Sequence, residues 1–142
     1  MEKIPEFIAN HWVLVSAAVV LLALLVANLW TGATAAGESI SPAAAVHLIN
    51  RDDALVIDLR DAAAFARGHI IDALNVPAAS IGERIEALKA HSARPVIILA
   101  DMDGPAARGA AQLRGAGFTR LYRLRGGVSA WQSDNLPLSR DA

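Results

Sequence analysis

The residues best placed for chemistry lie between Pro95 and Pro105, where the apolar run Val96, Ile97, Ile98, Leu99 gives way to Ala100, Asp101, Met102, Asp103 and Gly104. A short apolar run ending in polar residues and a Gly-Pro step reads as a buried parallel strand, a tight loop and a helix opening at Pro105. In open α/β sheets active sites sit there, beyond the carboxyl end of a strand and at the positive end of a helix. Two carboxylates occupy the loop, but no thiol does, for the chain of 142 residues contains no cysteine. Disulfides, thiolate metal sites and any reaction through a cysteine of this polypeptide are therefore excluded. The four histidines, at positions 11, 47, 69 and 91, show no ligand spacing such as His-Glu-x-x-His, so the sequence points to no metal and no cofactor.

The carboxylates have a structural reading as well. Asp101 or Asp103 near the start of the helix would gain roughly 0.3–1 kcal/mol from its dipole and satisfy otherwise unpaired N–H groups. On that reading the protein's own acid occupies the place where an oxyanion would sit.

The elements that must hold this loop follow from the rest of the chain. A formal net charge of −1 does not suit nucleic acid, and the length allows one domain of about a hundred residues plus an appendage. The appendage is the apolar stretch 13–30, uncharged throughout and interrupted only by Ser16 and Asn28. Eighteen residues at 1.5 Å each span roughly 27 Å, close to the hydrocarbon thickness of a bilayer, and Trp12 and Trp30 stand where indoles favour the headgroup level. The stretch reads as a single transmembrane helix with the lipid bilayer as its partner. Ala33, Thr34, Ala35 offers the pattern of a signal-peptide cleavage site, but the apolar core is longer than usual and Glu2 and Glu6 offset Lys3, which favours an uncleaved anchor. The flanks carry too few basic residues for the charge rule to orient it. The expected organisation is a flank over 1–12, the membrane helix over 13–30, a small flexible linker over 31–39 and a domain over 40–142.

Within the domain, strands and helices alternate. Ser41 before Pro42 caps a helix through Ile49 that ends at Asn50, a strand follows over 54–57, and Asp61 opens a helix ending near Gly68. Asn75 and Val76 form a brief strand. Ser80 caps a helix with Ile81, Ile85 and Leu88 on one face and Glu83, Arg84, Glu86 and Lys89 on the other. After the strand 96–99 come a helix to about Ala116, stopped by Gly117, a strand over 121–124, and a final helix around Ala130 and Trp131 entered through Gly126 and Gly127. The fold class is α/β, a parallel sheet with helices on both faces. Arg114, Arg120, Arg123 and Arg125 give the last third a basic cast suited to anionic lipid or a partner's acidic loop, although scattered arginines ordinarily form a solvated face.

The run Ile57, Asp58, Leu59, Arg60, then Phe65, Gly68, His69, Ile70, Ala73, Asn75 and Pro77 resembles the first signature of rhodanese-like domains. Gly117, Phe118, Tyr122, Leu124, Gly126, Gly127, Trp131, Leu136 and Pro137 resemble the closing signature of the same family. With its apolar N-terminus the chain is also similar to small membrane-anchored rhodanese-like proteins of Gram-negative bacteria. That resemblance implies a single-pass protein of the bacterial inner membrane with its domain in the cytoplasm. Asp58, Arg60, Gly68, His69 and Trp131 read as structural: a carboxylate and guanidinium tying down a strand end and a loop, a turn, a backbone-bonded histidine and a core anchor. In active rhodaneses a cysteine follows the central strand and carries sulfur as a persulfide. Here the matching position is Ala100, or Asp101 with the loop shifted by one, so the resemblance implies no catalytic residue and a vestigial loop over 100–104.

Asp101, Met102, Asp103 and Gly104 also resemble the D-x-D-G opening of haloacid-dehalogenase-type phosphatases. In that family the first Asp attacks phosphorus and the second serves as acid/base beside Mg²⁺. Against this, Pro105 replaces the usual Thr, and Lys89 lies before the motif rather than after it. The expected function is a catalytically inactive, membrane-tethered module that binds a membrane or membrane-proximal protein. The alternative is an enzyme, working with sulfur through a partner's cysteine or by Mg²⁺-dependent phosphoryl transfer at Asp101 and Asp103.

Overall fold

A computed structural model describes residues 3–140. The extreme ends of the expected flank and domain, residues 1–2 and 141–142, lie outside the described residues. The chain divides into two units between Ala33 and Thr34.

The first unit is helical. Helix α1 (Lys3–Asn10) gathers Ile4, Phe7 and Ile8, and the Phe7 and His11 rings stand 4.7 Å apart. Hydrogen bonds from His11 N to Phe7 O (3.0 Å) and from Val15 N to His11 O (2.9 Å) carry the chain through a turn into α2 (Trp12–Ala35). Ser16 turns its hydroxyl onto Val13 O at 3.0 Å, which satisfies its donor within the helix. The segment Trp12–Trp30 is long and apolar enough to cross a membrane, a property that signal sequences share, and none of it is buried within the protein.

The second unit is built on five parallel strands in the order β1 (Glu38–Ile40), β6 (Leu121–Leu124), β5 (Val96–Leu99), β2 (Leu55–Asp58), β4 (Leu74–Asn75). A separate antiparallel pair joins β3 (His69–Ile70) to β7 (Leu138–Ser139). Strand β5 is the spine: all four of its residues are buried, it runs in register with β2 (Asp58 opposite Leu99) and with β6 (Ile98 opposite Arg123). Its alternate side chains feed two cores. Ile98 meets Ile81 and Leu88 of α5 (Ile81–Leu88), Ala106, Ala110 and Leu113 of α6 (Asp103–Gly115), and Phe118. Ile97 and Leu99 meet Ala45 of α3 (Pro42–Asp52), Trp131 of α7 (Gly127–Ser133) and Ile70. A side chain at Gly109 would place its Cβ 2.8 Å from Leu59 Cδ1, so the small residues of α6 are what let it lie close on the sheet. Helix α4 (Ala62–Arg67) completes the crossover from β2 to β4, with Asp61 capping Ala64 N at 2.6 Å as expected.

Several boundaries differ from the sequence expectation. The linker expected over 31–39 is helical through Ala35 and becomes an edge strand from Glu38, because β1 finds backbone partners on β6 (Ser39 opposite Arg123) that lie far away in the chain. Helix α3 runs through Asn50 to Asp52 and ends on Asp53 in the left-handed region (φ 52°). Strands β2 and β4 are each displaced by one residue from 54–57 and 75–76, since pairing across the sheet, not local hydropathy, sets where a strand stops. Ser80 does not cap α5. It ends a 3₁₀ turn (Ala78–Ser80) in a helical conformation, so its hydroxyl cannot reach forward to the free N–H groups. Helix α6 opens at Asp103 instead of Pro105; proline is tolerated there because the first-turn N–H groups have no intrahelical acceptor.

Candidate functional site

The loop after β5 borders a small cavity of about 40 Å³, with room for a water molecule, lined by Ala100 through Asp103, Ala106, Leu124, Gly126 and Gly127. Ala100 is almost buried at its inner wall. The opposite wall is glycine by necessity: Gly127 has φ 56°, and a Cβ there would lie 2.6 Å from Ala100 O. The site residues expected at 100–104 are thus brought together, at the carboxyl end of the central strand and the start of a thirteen-residue helix.

The carboxylates do not fold onto the loop amides. Met102, at the cap position of α6, makes no capping bond; Asp101 is exposed and has no hydrogen-bond or ion-pair partner among the described residues. Asp103 turns outward to an ion pair with Arg123 of β6. The expectation that an internal acid replaces a bound anion is therefore overturned. As the first residue of the helix, Asp103 is held outward by the guanidinium of the neighbouring strand β6. The same arrangement disfavours the phosphatase-like reading, because the second carboxylate of the D-x-D pair is held by a cation.

Behind the loop stands a polar latch. The Asp58 carboxylate, 0% exposed, ends β2 beside Leu99 and accepts from Arg60 N (3.0 Å), Nε (3.0 and 3.1 Å) and Nη2 (2.7 Å). Arg60 Nη2 also donates to Gly68 O at 2.8 Å, and Asn75 Nδ2 donates to the carbonyls of Asp58 (3.2 Å) and Arg60 (2.9 Å). One guanidinium thus fixes the end of β2 and the end of α4 together, while Leu59 N bonds Leu99 O at 2.9 Å to tie the latch to the site strand. His69 is buried, donates Nδ1–H to Phe65 O at 2.9 Å and stacks on the Phe65 ring at 3.7 Å, so its ring is occupied by structure. Trp131 is buried against the second core and donates Nε1–H to Pro137 O at 3.0 Å.

Sequence reasoning missed Arg123 as a neighbour of the loop. Its partners, Asp103 and the Gly37 carbonyl (3.4 Å), are remote in the chain, so no local pattern marks it. The basic cast of the last third also dissolves. Arg114 bonds Thr119 O, Arg120 pairs with Asp52, and Arg125 bonds Ser39 O, so these side chains brace the fold and do not form one free cationic face.

Comparison with known proteins decides the family. The model of the rhodanese-like domain matches residues 41–134, spanning both latch and loop. The chain belongs to the rhodanese-like family. It is a rhodanese-like domain that lacks the cysteine of the sulfurtransferases. It is 32% identical over 141 residues to the uncharacterized protein YibN of Escherichia coli, covering 99% of each chain. It is 33% identical over 96 residues to the thiosulfate sulfurtransferase GlpE of Pseudomonas putida, covering 68% of this chain and 86% of that one. Among solved structures, the rhodanese-related protein of Thermoplasma volcanium superposes with a TM-score of 0.65 at 19% identity, over 73% of this chain and 99% of that one, a likeness of fold.

Proposed function

We propose that this protein is a membrane-anchored rhodanese-like module without sulfurtransferase activity, whose role is to bind a protein partner at the bacterial inner membrane from the cytoplasmic side. The observation that carries the reading is Ala100: the loop keeps its place between β5 and α6, yet the residue at its base has no atom that can accept sulfur. The cavity around it is closed to about 40 Å³, too small for an organic substrate of ordinary size. The uncleaved segment Trp12–Trp30 supplies the anchor, with its face entirely available to lipid. A tether restricts the domain to partners at the membrane surface and raises their effective concentration.

The test is a thiosulfate-to-cyanide sulfur transfer assay on the full chain, with Ala100→Cys beside it, and affinity capture from native membranes with the helix retained. The wild-type chain is expected to produce no thiocyanate above background and to retain a discrete membrane protein through washing. Robust turnover by the wild type, or recovery of the chain in a processed form free of the membrane, overturns the proposal.

A further inference from the structure

The second core ends in an open cleft of about 850 Å³ on the β3–β7 pair, lined by Arg67, Ile71, Gln132, Leu136, Leu138, Ser139 and Arg140. Its apolar floor continues through Ile71 and Leu136 into a neighbouring cavity of about 330 Å³ that reaches Trp131, with Asp72 on its border. Ile71 is 51% exposed. Arg67 and Arg140 are exposed and make no hydrogen bond or ion pair among the described residues, unlike Arg123 of β6 and Arg125 after it. The cleft therefore sets the apolar side chains of Ile71, Leu136 and Leu138 beside two guanidinium groups, with the Asp72 carboxylate on the adjoining border.

A loop of opposite charge with an exposed apolar tip lies on the same chain. Met102 is 70% exposed, and it is flanked by Asp101, which has no partner, and Asp103, of which one oxygen meets Arg123. In the described part of the second unit the exposed large apolar side chains are Ile71, Leu74 and Met102. One of them floors the cationic cleft and another tips the acidic loop. Within one copy the two cannot meet. The loop leads into α6 on the face of the first core, whereas Leu136 and Leu138 pack on the second, across the sheet.

We infer that the cleft receives the Asp101-Met102-Asp103 loop of a second copy of this chain, joining domains head to tail. The methionine side chain, flexible and polarizable, fills the floor beside Ile71 and Leu136, and the Asp101 carboxylate, without a partner among the described residues, faces Arg67. The two surfaces are different, so the contact is heterologous: each copy keeps one free loop and one free cleft, and copies add in rows or close into a ring. The inference stands apart from the partner proposed above, since it concerns only this chain's own surfaces.

The absence of native cysteine makes the test clean. Full-length chains carrying Met102→Cys and Ile71→Cys are purified separately, mixed in detergent micelles and exposed to a mild oxidant. A disulfide-linked dimer is expected in the mixture, with only background in either variant alone. Adding Arg67→Glu to the Ile71→Cys chain lowers the yield, and adding Asp101→Arg to the Met102→Cys chain restores it. Both charge changes fall on exposed side chains without a partner among the described residues, and Trp131 fluorescence in a Trp12→Phe, Trp30→Phe background verifies that each variant is folded. A mixture that cross-links no better than its components, a dimer formed by Ile71→Cys alone, or a charge pair that fails to restore the yield overturns the inference.

Discussion

Arg60→Met is the perturbation that probes the site's foundation most directly. The arginine side chain is 8% exposed and its partner Asp58 is 0% exposed, so methionine keeps the stem's packing while leaving a carboxylate without a counterion in the core. Removing one member of a buried pair costs about 3–5 kcal/mol, and loss of the donor to Gly68 O adds about 1 kcal/mol. A domain of this size has about 5–15 kcal/mol in all, so the variant is expected to stand near the edge of folding. The assay is urea unfolding of the full chain in detergent, followed by Trp131 fluorescence in a Trp12→Phe, Trp30→Phe background. Trp131 is buried in the unit under test, and the two removed indoles belong to the other helix. Combining Arg60→Met with Asp58→Leu takes away both charges and is expected to cost less than Arg60→Met alone, because no uncompensated ion remains. A single-variant loss below about 1 kcal/mol, or losses that simply add in the double variant, refutes the latch.

Other changes test the loop itself. Gly127→Ala forces a Cβ to within 2.6 Å of Ala100 O at a left-handed backbone position, so a loss of more than about 2 kcal/mol is expected in the same titration. Asp101→Asn touches an exposed side chain with no partner, so stability is expected to hold within about 0.5 kcal/mol. Mg²⁺-dependent phosphate release, measured on the same protein, is expected at background in wild type and variant alike. Release by the wild type that Asp101→Asn abolishes would restore the phosphoryl-transfer reading. Leu113→Ala, which empties a fully buried position between α6 and the sheet, is expected to cost about 2–5 kcal/mol, measured by thermal melting.

Much of the architecture was legible along the chain because its signals are local. The four apolar residues of β5, the Ser41-Pro42 and Asp61 helix starts and Gly117 after α6 act over a few residues, and the structure keeps each of them. The sequence marks Asp58 and Arg60 only as groups that tie down a strand end and a loop; that the guanidinium closes on the Asp58 carboxylate through Nε and Nη2 is seen in the structure. Nothing local separates Glu38 and Ser39 from the linker, because with Ile40 they become a strand only by lying against residues 122–124. Ser80 was read as a cap from its type, and the 3₁₀ turn before it overrode the type.

By itself the sequence determined the family, through two ordered signatures, and the chemistry that this polypeptide cannot perform, because a persulfide needs a sulfur atom and the chain offers no cysteine anywhere. It also placed Ala100 to Gly104 directly after the apolar strand 96–99. What those residues do there was decided only by the tertiary structure. The sequence allowed Asp101 and Asp103 to fold back on the helix start, but β6 brings Arg123 alongside and turns Asp103 outward, leaving Asp101 in solvent. Likewise the cleft between Arg67 and Arg140 exists only because β3 and β7, far apart in the chain, pair with each other. Covalent capacity is a property of residue types and can be read in order; the destination of a side chain depends on which distant charge the fold brings within reach.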